Sequence, residues 1–306
     1  SGNGAFDHEG ESPVSNIILA KKYQMFAGGD GSKMNPYLIS TANQMNNIRH
    51  VMNQSNTAIY FKMTADVDMS GIAWVPFNSS SPYQNKINFD GNGYTIFNLT
   101  CSGAGYPSFA GVVNGVIKNV NFVNAAITGN ANSSHVGIVG GYLGTNGIYG
   151  EVENVSVQGT VNQQSTTAFA GGLIGNLRYG SIKNCYVNAD VTSRTSGNAG
   201  VGGICGYQYD GKNLKEETSD VNTLIAYSYF TGTVDAPNCR VGGILGKSEN
   251  RWGNWMYKNI SEAKFLRGIN GLTGLICGVM YPACVTSGRT YDNYASRSCQ
   301  LYWGNT

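Results

Sequence analysis

Charge is scarce in this 306-residue chain. Asp, Glu, Lys and Arg make up 12% of it, 20 basic against 18 acidic residues for a net charge of +2, about half the ordinary charged share. The basic residues are scattered, so there is no stripe of the kind that tracks a nucleic-acid backbone. Long apolar runs are also missing, and none reaches the ~18 residues that cross a bilayer as a helix. The polar opening Ser1-Gly2-Asn3-Gly4 reads as that of a mature or trimmed product, to which a lipid anchor just upstream is an open option. Histidine is rare: His8, His50 and His135 lie far apart, in unlike segments, without the partners that a zinc site or a Ser-His-Asp triad needs. Seven cysteines, an odd number, with no Cys-x-x-Cys, argue against a complete disulfide framework. Cys185 and Cys205 read as small buried apolar residues, whereas Cys277 with Cys284, or Cys284 with Cys299, are the pairs open to a bridge. No metal and no cofactor is expected.

Glycine is what the chain has in excess, 42 residues against a usual ~7%, with no Gly-X-Y period. Much of it sits in a recurring phrase: Gly111-Val112-Val113, Gly137-Ile138-Val139-Gly140, Gly172-Leu173-Ile174-Gly175, Gly203-Ile204-Cys205-Gly206, Gly243-Ile244-Leu245-Gly246 and a weaker Gly274-Leu275-Ile276, with first glycines 26, 35, 31, 40 and 31 residues apart. After most of these comes a β-rich phrase, Ile117–Phe122, Val152–Val157, Ile182–Val187 and a looser Ile225–Phe230, whose apolar residues alternate with polar ones. A unit of about 30 residues holding two or three short strands cannot bury its apolar face alone and must stack on its neighbours. The chain is therefore expected to be all-β, a parallel β-helix or similar solenoid. A β-propeller is the competing architecture, but the uneven spacing suits a solenoid, whose coils tolerate outer loops of different length. In register, Gly137, Gly172, Gly203 and Gly243 should align along the axis, and Ile138, Leu173, Ile204 and Ile244 should form one inward ladder.

Ahead of the repeats, Ser40 or Thr41 is positioned to cap a helix over about 40–52, with Ala42, Met45, Ile48 and Met52 on one face. Such a helix would cover the open first coil, whose strand edges and core are otherwise exposed. The expected organisation is a lead-in over 1–25, a cap over 26–60 that includes the helix, and repeats over 61–306. A monomer is expected.

The ordered string Gly28-Gly29, Asn35-Pro36-Tyr37-Leu38-Ile39-Ser40-Thr41-Ala42, helix, Tyr60-Phe61-Lys62-Met63-Thr64-Ala65-Asp66-Val67-Asp68, Phe89-Asp90-Gly91-Asn92-Gly93-Tyr94-Thr95-Ile96, then repeated Gly-Gly-Φ-Φ-Gly, resembles the GLUG-motif proteins. These are large bacterial surface and secreted proteins, found among Bacteroidetes surface proteins, adhesins and the non-catalytic regions of immunoglobulin A proteases. The resemblance covers about Phe26 to Gly246. It implies a right-handed, single-stranded parallel β-helix at a cell surface, of the bacterial outer membrane or secreted, and it carries no catalytic signature to transfer. The chain departs from the pattern in a polar insertion, Asp210–Asp220, and in the last repeats, where Trp252, Trp255 and Tyr257 replace the usual strand phrase.

Aromatic residues follow successive Gly phrases: Tyr142, Tyr179, Tyr207, Tyr209, Trp252 and Trp255. With the coils in register these would line one flank of the rod, where sugar rings can stack on them; the alternative is that they cover the solenoid edge as amphipathic residues do. Asp66 and Asp68 are read as acceptors for backbone N–H groups at a corner rather than as calcium ligands. The acids Asp210, Glu216, Glu217, Asp220 and Glu249 are the densest group, in what reads as a solvated loop. The function expected is a non-enzymatic binding or adhesion module for extracellular glycans or host surface proteins. The alternative is a polysaccharide lyase or glycoside hydrolase on the same scaffold, which would need carboxylates at a set separation.

Overall fold

The computed structural model describes residues 25–52, 57–78, 86–145, 147–209, 223–249, 254–280, 285 and 288–304. The chain winds as a parallel β-solenoid. One coil leaves a long sheet at the end of the strand Gly150–Gln163, crosses the short strand Phe169–Gly171, bends at Gly172-Leu173, runs back along Ile174–Leu177 and rejoins the long sheet at Gly180–Lys183. Each strand pairs in parallel with its equivalent one coil away, so the long sheet gathers 19 strand segments while the two legs of the bend build sheets of five and six strands.

Register follows the alternation of side chains. On the long sheet Tyr37, Phe61, Phe89, Ile117, Val152, Ile182, Ile225, Met256 and Thr290 stand one above another. From Phe61 to Met256 every member of this column is buried, each such side chain being worth ~1.5–3 kcal/mol of burial. Slipping a strand by one residue would turn its polar neighbours inward, so the pattern itself holds the register. The first coils are filled by aromatics: Trp74 stacks on Phe109 at 5.3 Å and donates its indole N–H to the Ser108 and Phe109 carbonyls, while Phe77, Phe89 and Phe122 meet Phe109 edge-on. Later coils use mainly Val, Ile, Leu and Ala, with Phe230 and Met256 among them.

The N-terminal helix spans Ala42–Met52. Thr41 caps it by accepting the Gln44 N–H at 3.3 Å, and the Gln44 side chain accepts the Ser40 N–H at 2.8 Å, so two otherwise orphan donors are satisfied. Met45, Ile48 and Met52 are fully buried and join the core formed by Ile39, Phe61, Met63 and Met69. Beside the helix, strand Tyr37–Ile39 pairs with Ala58–Met63 to start the long sheet.

Three of the six glycine phrases stack in strict register and three are displaced: Gly111 lies opposite Gly141, Gly137 opposite Gly171 and Gly274 opposite Gly242. Gly172, Gly203 and Gly243 are in register, and Leu173, Ile204 and Ile244 form a buried ladder, as the repeat predicts. The preceding phrase is displaced by one residue. Val136 pairs with Ala170, which puts Gly137 opposite Gly171, and it is Val139 that heads the aliphatic ladder while the Ile138 N–H bonds to the Gly172 carbonyl. The reason lies in a second glycine column, Gly141, Gly175, Gly206, Gly246 and Gly278, at which the two legs of each bend meet. A Cβ on Gly175 would lie 2.7 Å from the Val136 nitrogen, and one on Gly206 2.6 Å from the Ala170 oxygen. Backbone presses on backbone there, so the glycines that close this gap set the register, rather than the ones that open the phrase.

A corner inside the β-rich phrases is a further feature of the long sheet. Asn119, Asn154, Asn184, Tyr227, Lys258 and Asp292 occupy equivalent places, and all have left-handed torsions, with φ of 52°, 57°, 51°, 53°, 53° and 51°. Asn suits this conformation better than other non-glycine residues. The Asn154 amide donates to the Asn119 side-chain oxygen at 3.1 Å, and the Asn119 amide donates to Asp90 at 3.0 Å, so the corner carries its own ladder of polar bonds.

Candidate functional site

Of the six aromatic residues expected along one flank, the five among the described residues are distributed over three places. Tyr142 and Tyr207 share a column of the six-stranded sheet, separated by Asn176 on the intervening coil. Tyr142 is half-buried, and its hydroxyl lies 2.8 Å from His135 Nε2. Tyr207 stacks on Phe169 at 4.2 Å and on Tyr209 at 5.9 Å, its hydroxyl donates to Glu249, and Lys247 lies both over its ring and 3.3 Å from the Glu249 carboxylate. Arg178 lies over the Tyr209 ring. Tyr179 meets Tyr149 edge-on at the corner that leads to the long sheet. Trp255 is on the long sheet, in register with Leu224 and with Arg289 over its ring. Trp252 and the insertion 210–220 lie outside the described residues, as do His8 and Cys284.

The most exposed aromatic face is a different one. On the outer surface of the long sheet Tyr186, Tyr229, Ile260 and Tyr294 follow one another on successive coils. Tyr186 and Tyr294 are 42% and 63% exposed, and Tyr186 stacks on Tyr229 with centroids 5.4 Å apart. Next to them Tyr257 stacks on Tyr291 at 4.8 Å, and the exposed Tyr227 meets Tyr257 edge-on at 5.6 Å. The Tyr229 hydroxyl donates to Glu262, which pushes its pKa up to about 12. Reading the chain by Gly phrase misses this face, because its members come from the β-rich phrases. The available signal was a tyrosine two residues beyond the corner, in Cys185-Tyr186, Ser228-Tyr229 and Asn293-Tyr294.

Other candidate groups are occupied by the scaffold. Asp66 accepts the Thr95 N–H at 2.7 Å. Asp68 accepts the Asn98 amide at 2.8 Å together with the Ser70 hydroxyl and N–H, and these bonds hold its carboxyl below the usual range. His135 is half-buried, enclosed by Tyr106, Tyr142 and Phe169, and the loss of hydration there drives its pKa down to about 3, so it is neutral at physiological pH. Cys101, Cys185, Cys205 and Cys239 are buried free thiols whose pKa values burial pushes up to about 11 or 12, which makes them poor nucleophiles; Cys277 and Cys299 are half-buried. Among the described residues there is no group of three or more His, Cys, Asp or Glu that could hold a metal ion, and no helix is long and apolar enough to cross a membrane.

Fold and repeat together define a parallel β-solenoid whose coils turn on a glycine-rich bend. The GLUG motif model matches residues 170–192, which hold one such bend and the strands Ile174–Leu177, Gly180–Lys183 and most of Tyr186–Ser193 after it. A crystal structure of a Bacteroides ovatus protein, provisionally described as an immunoglobulin A1 protease, is 30% identical, with a TM-score of 0.71 over 90% of this chain and 78% of that one. The chain belongs to this family, the GLUG-motif proteins. It is similar in fold, at 15% identity and a TM-score of 0.53, to a chain named IgA1 Protease, covering 85% of this chain and 21% of that one. Among curated relatives, an Evansella cellulosilytica protein provisionally described as a Gly-rich membrane protein is 32% identical over 145 residues, and halomucin of Haloquadratum walsbyi is 29% identical over 150. Each of these matches covers 44% of this chain but only 16% and 2% of the respective relative.

Proposed function

We propose that this chain is a non-enzymatic binding module displayed at a bacterial cell surface, and that it engages neutral glycans through the outer face of the long sheet. The observation that carries the reading is the run of tyrosines, exposed Tyr186, half-buried Tyr229 and exposed Tyr294, on successive coils with Ile260 between the last two, flanked by Tyr257 and Tyr291. Coils repeat every ~4.8 Å along such a sheet, so the rings offer a rigid, regularly spaced series of apolar surfaces on which extended saccharides can stack. Rigid aromatic side chains lose little conformational entropy when they bind. The display at a surface is supported by relatives described as a membrane protein, a halomucin and IgA proteases. The aromatics Tyr142, Tyr179, Tyr207, Tyr209, Trp252 and Trp255 are proposed as a second contact surface for a glycan or a host protein. The division into a cap over 26–60 and coils over 61–306 belongs to the same proposal.

A glycan-array screen at two salt concentrations, followed by product analysis of every bound ligand, tests this. A single exposed ring contributes on the order of 1 kcal/mol, so Tyr186→Ala and Tyr294→Ala should each weaken binding about fivefold with unchanged melting. Because no net charge is engaged, affinity should hardly change with salt. Release of shortened products would replace this reading with an enzyme, and unchanged binding by the double variant would remove the tyrosine face from it.

A further inference from the structure

The outer face of the long sheet carries a second, chemically different feature close to its N-terminal end. A surface groove of about 500 Å³ has Lys33, Lys62, Lys118, Asp90, Tyr60 and Val116 among its lining, with Pro36 and Asn88 also in its wall. The register explains why these residues converge. Lys62, Asp90 and Lys118 occupy one column on three successive coils, and Tyr60, Asn88 and Val116 occupy the column two residues before it, on the same side of the sheet. Lys62 and Lys118 therefore stand roughly 10 Å apart, two coil spacings, while Lys33 reaches the groove from the segment that precedes the first strand.

Charge in the groove is unbalanced. Lys118 lies 3.7 Å from the Asp90 carboxylate, but Asp90 also accepts the Asn92 N–H at 2.8 Å and the Asn119 amide at 3.0 Å, so its other oxygen is committed to the corner. Among the described residues neither Lys33 nor Lys62 makes an ion pair. Further along the same column the charges are balanced: Lys183 is bound by Glu151 at 3.0 Å and lies 3.9 Å from Glu153. The surplus of positive charge is thus confined to the end of the column where an aromatic ring, Tyr60, and an apolar side chain, Val116, form part of the lining. In a chain with so little charge, two uncompensated ammonium groups beside a ring make a mixed surface. An ammonium is a compact, strongly hydrated charge on a flexible stem, suited to an anion held at the surface.

We propose that this groove is a binding site for an acidic saccharide, a sugar whose ring lies against Tyr60 and Val116 and whose carboxylate or sulfate is held between Lys62 and Lys33, with Lys118 as a further donor once it turns from Asp90. Carboxylate and sulfate share the required chemistry, a fixed anion on a ring. An acidic peptide would satisfy the lysines and leave the ring surface unused, so the saccharide is the better match. The site does not depend on the tyrosine face, which lies on later coils of the same sheet.

The test is calorimetric titration of the full chain with an oligogalacturonate, a sulfated oligosaccharide, a neutral cello-oligosaccharide and polyglutamate. At least one of the two acidic saccharides should bind, the tighter of them identifying the anion, and its affinity should fall steeply as NaCl rises from 0.05 to 1 M and the screening length drops from over 10 Å to about 3 Å. Exposed ion pairs are individually weak, so Lys33→Gln with Lys62→Gln together should weaken binding about tenfold. Glutamine keeps much of the apolar stem, and melting should be unchanged. Tyr60→Ala should weaken saccharide binding a further fivefold or so, whereas Tyr186→Ala should leave it unaltered, which separates failure here from failure of the tyrosine face. The proposal is overturned if neither acidic saccharide binds, if the double lysine variant binds as the parent does, or if polyglutamate binds equally well and survives Tyr60→Ala.

Discussion

Replacing Gly206 by Ala isolates the contact that sets the geometry of every bend. Gly206 has no left-handed torsion, so the substitution carries no backbone strain of its own. The added methyl would stand 2.6 Å from the Ala170 oxygen, 2.7 Å from the Ala170 nitrogen and 2.7 Å from the Gly175 oxygen. All three are main-chain atoms held in parallel ladders, Ala170 with Val201 and Val136, and Gly175 between paired neighbours. Non-bonded atoms of this kind are comfortable at about 3.5–4.0 Å, so the two legs would have to part by roughly 1 Å. No side chain can rotate away to relieve the contact. Overpacking costs ~1–3 kcal/mol where neighbours can adjust, and the upper end or beyond is expected here, a fall in Tm on the order of 5–10 °C. Gly197→Ala is the control: that residue has φ of 69° and nothing within 4 Å of the new methyl, so only the left-handed backbone is penalised, by about 1 kcal/mol. Thermal unfolding by circular dichroism, with urea midpoints as a second measure, compares the two. If Gly206→Ala melts with the parent, or no lower than Gly197→Ala, the legs are not packed backbone to backbone and the account of the register fails.

Two further outcomes follow from the corner and from the His135 imidazole. Lys258 holds a left-handed torsion of 53° where earlier coils use Asn, so Lys258→Asn should exceed Lys258→Ala in stability by about 1 kcal/mol; equal urea midpoints would show that the corner does not select Asn. His135 has a folded pKa of about 3 against an ordinary 6.5, so between those values the unfolded chain binds the proton and the folded chain does not. Stability contributed by neutral His135 is therefore complete above about pH 6.5 and is lost as the pH falls towards 3, by an amount on the order of several kcal/mol. His135→Gln should flatten that part of the pH profile of the urea midpoint, and an unchanged slope would mean that other groups carry it.

Much of this protein is written locally. The glycine phrases with their uneven spacing already required stacked coils, because short strands with one apolar face have no other way to bury it. The helix was legible for the same kind of reason: Thr41 caps it, and Met45, Ile48 and Met52 fall on one face, so capping and periodicity agreed within eleven residues. Leu173, Ile204 and Ile244 could be placed in the core from their position after the glycine alone.

What the chain could not disclose depends on atoms brought together across coils. The one-residue shift of Gly137 arises from contact between two legs of the bend, and a repeat aligned by eye on its first glycine has no access to that distance. The corner at Asn119, Asn154 and Asn184 lay within phrases that read as straight strands, since a single left-handed residue leaves the apolar alternation on either side intact. Both candidate surfaces have the same origin. Tyr186, Tyr229 and Tyr294 are 43 and 65 residues apart in the sequence and become neighbours only through pairing with the coils above and below. Lys62 and Lys118 face one groove because Asp90 lies between them in register. Sequence alone determined that the chain must stack, since burial is a property of each phrase; which side chains share a surface is a property of the register, and that was decided only when the coils packed.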